Sequence, residues 1–166
     1  PADLRGMKMR SQEAEIYIQM YKTFGATPVP IPTPDVLVAL KTGMVDGFDQ
    51  TPIFSMSTGW TTTVNFISLT KHIYQPGAIV LSKRFFDKIS LDLKAHLLST
   101  SKRDFLAANS RKYVRTDESE LLHSLSNDSN PKLINLTDDQ RNVFKTQLIP
   151  LYKYMEKKIP PGILQK

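Results

Sequence analysis

Leu4-Arg5-Gly6-Met7-Lys8-Met9-Arg10-Ser11-Gln12 decides the reading of this chain. Met7 and Met9 alternate with Lys8 and Arg10, the period-two pattern of a half-buried strand. Ser11 is a residue type that caps helices, and Glu13 and Glu15 follow where a first helical turn favours acids. The stretch therefore predicts a short strand that delivers Arg10 to its end, with a helix starting at once. A guanidinium beside a helix N-terminus suits an anion, because helix N–H groups favour negative charge and arginine offers a planar fork to a carboxylate. The competing reading is a solvated surface charge, the ordinary fate of a lone arginine.

Downstream, Ile16, Met20 and Phe24 recur at helical spacing with Tyr17 and Tyr21 beside them. This predicts an amphipathic helix over 11–24 that Gly25 stops. In Thr27-Pro28-Val29-Pro30-Ile31-Pro32 the prolines all point one way, so the segment can pair on one side at most. Thr33-Pro34-Asp35 reads as a helix start and predicts a well-buried helix over 35–42 ended by Gly43. Met44–Gln50 reads as a buried strand running into Thr51-Pro52, with a helix over 53–60 and a loose strand over 65–70 after it. Ala78-Ile79-Val80-Leu81-Ser82 is the most β-like run in the chain. From Leu91 the pattern is helical for a long way, as one helix or as two broken near Thr116-Asp117, with Ser90 as its cap. A loop at Asn127–Pro131, a strand at Leu133–Leu136 and a helix capped by Thr137 follow, and Pro160-Pro161-Gly162 closes the pattern. Short strands alternating with helices predict an α/β fold with a largely parallel sheet.

The chain has 166 residues, 40% hydrophobic and 23% charged, with net charge +6 and no cysteine. Disulfides, thiolate nucleophiles and Cys-based zinc sites are excluded. The chain opens at Pro1, which suggests a processed product or a piece of a longer protein. Its basic residues are spread along the sequence without interleaved aromatic residues, the pattern of a solvated face rather than a nucleic-acid platform. No GxGxxG or P-loop supports a nucleotide phosphate cradle. His72, His96 and His123 share no metal-ligand spacing, and no cofactor or metal is expected. Asp46 and Asp49, three apart, fall on opposite faces of a strand and make a poor acid/base pair. Gln50 ends that strand with a neutral amide able to donate and accept, to a ligand or to backbone. Ligands of open α/β sheets bind beyond the carboxyl ends of strands. Arg10, Gln50 and Thr33 all fall at such ends or in the loops just after them, which makes them a candidate binding set.

Four segments in order are similar to one family. Ala2-Asp3-Leu4-Arg5-Gly6-Met7-Lys8-Met9-Arg10 resembles the "DLKGLKIR" segment of the extracytoplasmic solute-binding proteins of TRAP transporters, the DctP-like family. Phe24-Gly25-Ala26-Thr27-Pro28 resembles its "ALGANPTPM". The run from Asp35 to Gly47 resembles "EVYTALQTGVVDG", and the run from His72 to Ser90 resembles "HVYDPAAVLISKKFWDKLS". The similarity is colinear from Pro1 to about Ser90 and weaker beyond.

The resemblance implies a periplasmic receptor, not an enzyme, that binds a small organic acid between two α/β lobes and presents it to membrane permease subunits. It implies that the arginine at position 10 salt-bridges the ligand carboxylate, with Gln50 where the family usually has an asparagine and Thr33 where an aromatic is common. Those two departures leave the ligand open. Tyr74 and His72, near the crossing between lobes, are further candidate contacts. The family's proteins are about twice this length. By resemblance, 1–75 and 116–166 belong to the second lobe, a periplasmic-binding-protein-like lobe. Residues 76–115 cross into the first lobe as a strand and part of a long hinge-spanning helix. Phe85, Phe86, Leu93, Leu97 and Phe105 would then expose apolar surface, expected to be covered by self-association through 76–115, by another fragment or by rearrangement. Two other functions remain open. One is a basic module binding nucleic acid, whose affinity would fall steeply with salt. The other is a sensor with the same fold and no transport role, which neighbouring permease genes would argue against.

Overall fold

The computed structural model describes residues 1–127 and 129–160. Asp128 of the expected loop and the Pro161-Gly162 end of the chain lie outside the described residues. In chain order the elements are β1 (Lys8–Ser11), α1 (Glu15–Thr23), β2 (Thr27–Pro30), α2 (Val36–Lys41), β3 (Gly47–Phe48), α3 (Pro52–Ser57) and β4 (Phe66–Leu69). These are followed by α4 (Lys83–Lys88), α5 (Leu91–Leu98), α6 (Thr100–Asn127), β5 (Lys132–Asn135), α7 (Asp138–Gln147) and α8 (Ile149–Glu156). Short 3-10 turns cover Ala2–Leu4, Thr33–Asp35 and Trp60–Thr63. No described helix is long and apolar enough to cross a membrane.

The chain divides into two compact units, Pro1–Ile73 with Leu125–Lys166, and Tyr74–Ser124. The first holds both sheets. β1 is the middle strand of the order β2-β1-β3, and β4 pairs with β5, every pairing parallel. β2 bonds only to β1, as its period-two prolines require, because proline has no N–H to give a second neighbour.

Alternation along β1 sends Met9 to one face and Arg10 to the other. Met9 joins a core with Met20, Tyr21 and Phe24 of the α1 region and Leu148 and Leu151 of the α8 region. The other face is built of Ile31, Val36, Ala39, Val45 and Trp60. Gly47 lies opposite Met9, and a Cβ there would come within 3.1 Å of the methionine Cε, so the missing side chain lets β3 close on β1. Gly25 ends α1 with φ +78°, a conformation that costs other residues strain.

Several local expectations change. Ser11 does not cap α1: it is the last residue of β1, and α1 begins after Ala14 without a side-chain cap. Thr33 caps nothing either, and α2 is preceded by a 3-10 turn. α2 buries only Val36 and Ala39 and leaves Val38 exposed, so its apolar run is one-sided. The run at 78–82 is not a strand, although it is the most β-like by composition. A strand exists only when a neighbour takes its backbone groups, and among the described residues no strand pairs with it.

In the second unit, Ser82 and Ser90 cap α4 and α5 through their hydroxyls. The helical stretch breaks at Ser99 rather than at Thr116-Asp117. Phe85, Leu93, Leu97 and Phe105 are exposed, and Phe86 is half-buried. Back in the first unit, Thr137 and Gln140 form a reciprocal capping box on α7.

Candidate functional site

Parallel pairing puts the carboxyl ends of β1 and β3 side by side, with Arg10 opposite Phe48. Arg10 is only 2% exposed there. Its Nε–H donates to the Ile31 carbonyl at 3.1 Å, and its guanidinium lies 5.4 Å from the Trp60 ring centre. Nη1 is buried and finds no hydrogen-bond partner among the described residues. Burial lowers the arginine pKa, and the charge of Asp49 opposes that shift. Arginine nevertheless stays protonated. A buried cation with an uncommitted N–H pair costs stability, and such costs concentrate where a ligand completes the pairing.

Asp49, just past β3, is near enough for its charge to act on this guanidinium. Its Oδ1 accepts from the Tyr21 phenol at 2.5 Å, and its Oδ2 lies 3.9 Å from His72 Nε2. Burial first, then the Asp49 charge and hydrogen bond, push the Tyr21 pKa far above its ordinary value, so the phenol keeps its proton. Burial lowers the His72 pKa and Asp49 raises it, leaving a net lowering. His72 Nδ1 stands 2.5 Å from the Thr70 hydroxyl. Asp46 accepts from the Lys8 backbone N–H at 2.7 Å and donates its own N–H to the Lys8 carbonyl, which docks β3 on β1. The two aspartates thus have separate tasks.

The remaining candidates divide. Gln50 Oε1 accepts from the Thr51 backbone N–H at 2.8 Å, which closes the turn and leaves the NH2 group able to donate. Thr33 is exposed in its 3-10 turn. Tyr74 is 85% exposed and belongs to the other unit. The structure therefore groups Arg10 and His72 around Asp49. Sequence reasoning missed Asp49, Tyr21 and Trp60 as members. The lone tryptophan, and a tyrosine one turn from the end of an amphipathic helix, were the signals to follow.

The sequence model of bacterial extracellular solute-binding protein family 7, DctP, matches residues 1–158. The chain belongs to this family. Its members are solute-binding receptors of transporters, not enzymes. The 2,3-diketo-L-gulonate-binding periplasmic protein YiaO of Escherichia coli is 32% identical over 126 residues, 75% of this chain and 38% of that protein. A TRAP periplasmic solute-binding protein from a Polaromonas species, bound to D-erythronate, is 29% identical with TM-score 0.82, covering 95% of this chain and 50% of that one. One from Roseobacter denitrificans, with bound β-D-glucuronate, is 26% identical with TM-score 0.81, covering 95% and 51%. The chain thus spans about half or less of the length of these proteins. Its parallel sheets and long α6 match the TRAP receptor lobe architecture.

Proposed function

We propose that this chain is the ligand-holding part of a TRAP-type solute receptor, in which Arg10 pairs with the carboxylate of a small organic or sugar acid. The observation that carries this is the buried guanidinium at a strand end with Nη1 uncommitted. A carboxylate is the planar anion that completes such a fork. Of the proteins named above, two hold D-erythronate and β-D-glucuronate and the third binds 2,3-diketo-L-gulonate, all of them acids, which supports the class of ligand. The Gln50 NH2 is assigned a contact to a ligand hydroxyl or second oxygen, His72 a place at the edge of the site, and Thr33 and Tyr74 lesser contacts. The lobe assignment is 1–75 with 116–166 as the second lobe and 76–115 crossing to the first. The receptor works in the periplasm with membrane permease subunits. The exposed Phe85, Leu93, Leu97 and Phe105 mark 76–115 as a face for association with a second copy when the chain stands alone; light scattering that gives a monomer mass at high concentration removes that part.

The test is a thermal-shift screen with D-glucuronate, D-galacturonate, D-erythronate and succinate against their uncharged methyl esters. A ligand that binds only the folded state raises the melting temperature. Stabilisation by an acid and not by its ester supports the reading. Equal response to acid and ester, or response to none, contradicts it.

A further inference from the structure

The cluster around Arg10 contains one group that titrates near neutral pH, and holding a carboxylate does not require it. That group is His72, whose side chain is 18% exposed. The groups facing it come from three elements. Asp49, after β3, is 3.9 Å away. Behind Asp49 stands Tyr21 of α1, which donates its phenol to the other carboxylate oxygen. Arg10 of β1 shares the same Asp49 charge. Lys71, the preceding residue in the chain, acts on Asp138 of α7.

We propose that the protein takes up a proton on His72 when a carboxylate ligand pairs with Arg10, so that acids are held more tightly in mildly acidic than in alkaline solution. The inference rests on the carboxylate reading of Arg10. Without ligand, the cluster holds one cation, Arg10, and one anion, Asp49, while the phenol of Tyr21 is kept neutral. A ligand carboxylate on Nη1 adds a second anion beside that single guanidinium. Two carboxylates sharing one cation repel, and a second positive charge nearby relieves them. His72 supplies it by taking a proton from solvent on Nδ1, the ring nitrogen that carries no hydrogen in the neutral form: imidazole plus H⁺ gives imidazolium, and nothing else changes hands. The hydrogen bonds already in place serve both forms. The Thr70 hydroxyl donates to Nδ1 of the neutral ring, or accepts from Nδ1–H of the imidazolium, by rotating its own hydrogen. Nε2–H of the charged ring faces Asp49 Oδ2. Burial lowers the pKa of the ring before the ligand arrives, which favours gaining the proton on binding rather than before it.

The sign of the linkage follows. The ligand raises the pKa of His72, so affinity increases as pH falls through the liganded value and levels off below the unliganded one. Each unit of difference is worth about tenfold in affinity. Isothermal titration of the protein with D-glucuronate, D-galacturonate and D-erythronate, near pH ~6 in buffers of unlike ionisation enthalpy, reads the proton uptake directly. Uptake is expected with each acid that binds, and His72→Gln is expected to remove it whatever affinity that variant retains. NMR titration of the His72 ring in the unaltered protein gives an independent reading, with its midpoint expected to rise when the acid is added. Binding without uptake, uptake that survives His72→Gln, or an unmoved midpoint overturns this inference and leaves the carboxylate reading standing. No binding of any of the three acids overturns the carboxylate reading and this inference with it.

Discussion

Arg10→Met in the unliganded protein separates an arginine that supports the fold from one that waits for an anion. Among the described residues the side chain hydrogen-bonds the Ile31 carbonyl at 3.1 Å and lies 5.4 Å from the Trp60 ring centre. A hydrogen bond from a charged donor contributes about 1.5–3 kcal/mol, and a desolvated cation over an indole about 2 kcal/mol. Against these stands the burial of a guanidinium at 2% exposure, which costs several kcal/mol. The unpartnered Nη1 costs roughly 1–3 kcal/mol more. Burial outweighs the attraction of Asp49 in lowering the arginine pKa, so the cost is the larger side. Methionine keeps much of the apolar stem and drops the charge. The variant is therefore expected to range from unchanged to about 2 kcal/mol more stable, within the range seen when buried charges become apolar. For a chain of this size 1 kcal/mol moves the melting temperature by about 2–4 °C, so thermal unfolding should show no loss and a gain of up to about 8 °C. A fall of more than about 6 °C would refute the reasoning, because it would make the guanidinium a net support of the fold.

Two further outcomes test the scaffold. Thr137→Ala removes one half of the capping box on α7 and is expected to cost about 1 kcal/mol in urea unfolding; an unchanged midpoint would mean the helix end is held by other contacts. Glu15 accepts from Lys158 Nζ at 2.8 and 2.7 Å and from the Tyr154 phenol, and these bonds, Lys158 first, hold its pKa below the ordinary value. A carboxylate depressed in the folded state gives stability that is present above its unfolded pKa and lost as pH falls through the folded one. Glu15→Gln should thus flatten the acid limb of the stability profile below about pH 4.5, and coincident limbs for the two proteins would contradict the latch between α1 and α8.

Local chemistry made much of this molecule legible. The prolines of 27–32 forced a one-sided strand, Gly25 stopped a helix, and Thr137 with Gln140 announced a cap, because each acts on backbone within a few residues. The alternation of Met9 and Arg10 likewise placed the arginine on a strand. Ser11 misled because one residue type suits both a cap and a strand end, and the choice lay with the distant partners of β1. The run at 78–82 misled because β-propensity measures fit to a neighbour it does not have here. Asp49, Tyr21 and Trp60 were invisible as a group: they come from three elements, and Tyr21 and Asp49 are 28 residues apart in sequence. The parallel register of β1 with β3 and α1 folded over one face bring Asp49 and Tyr21 to Arg10, and the core on the other face brings Trp60.

The central claim is that the uncommitted Nη1 of Arg10 is a carboxylate site. Calorimetric titration of the unaltered protein and of Arg10→Met with the acid giving the largest thermal shift tests it most directly. Losing one partner of a buried charge pair costs about 2–5 kcal/mol, so the variant is expected to bind the acid at least about thirtyfold more weakly. Equal affinity of the two proteins for the acid would contradict the account.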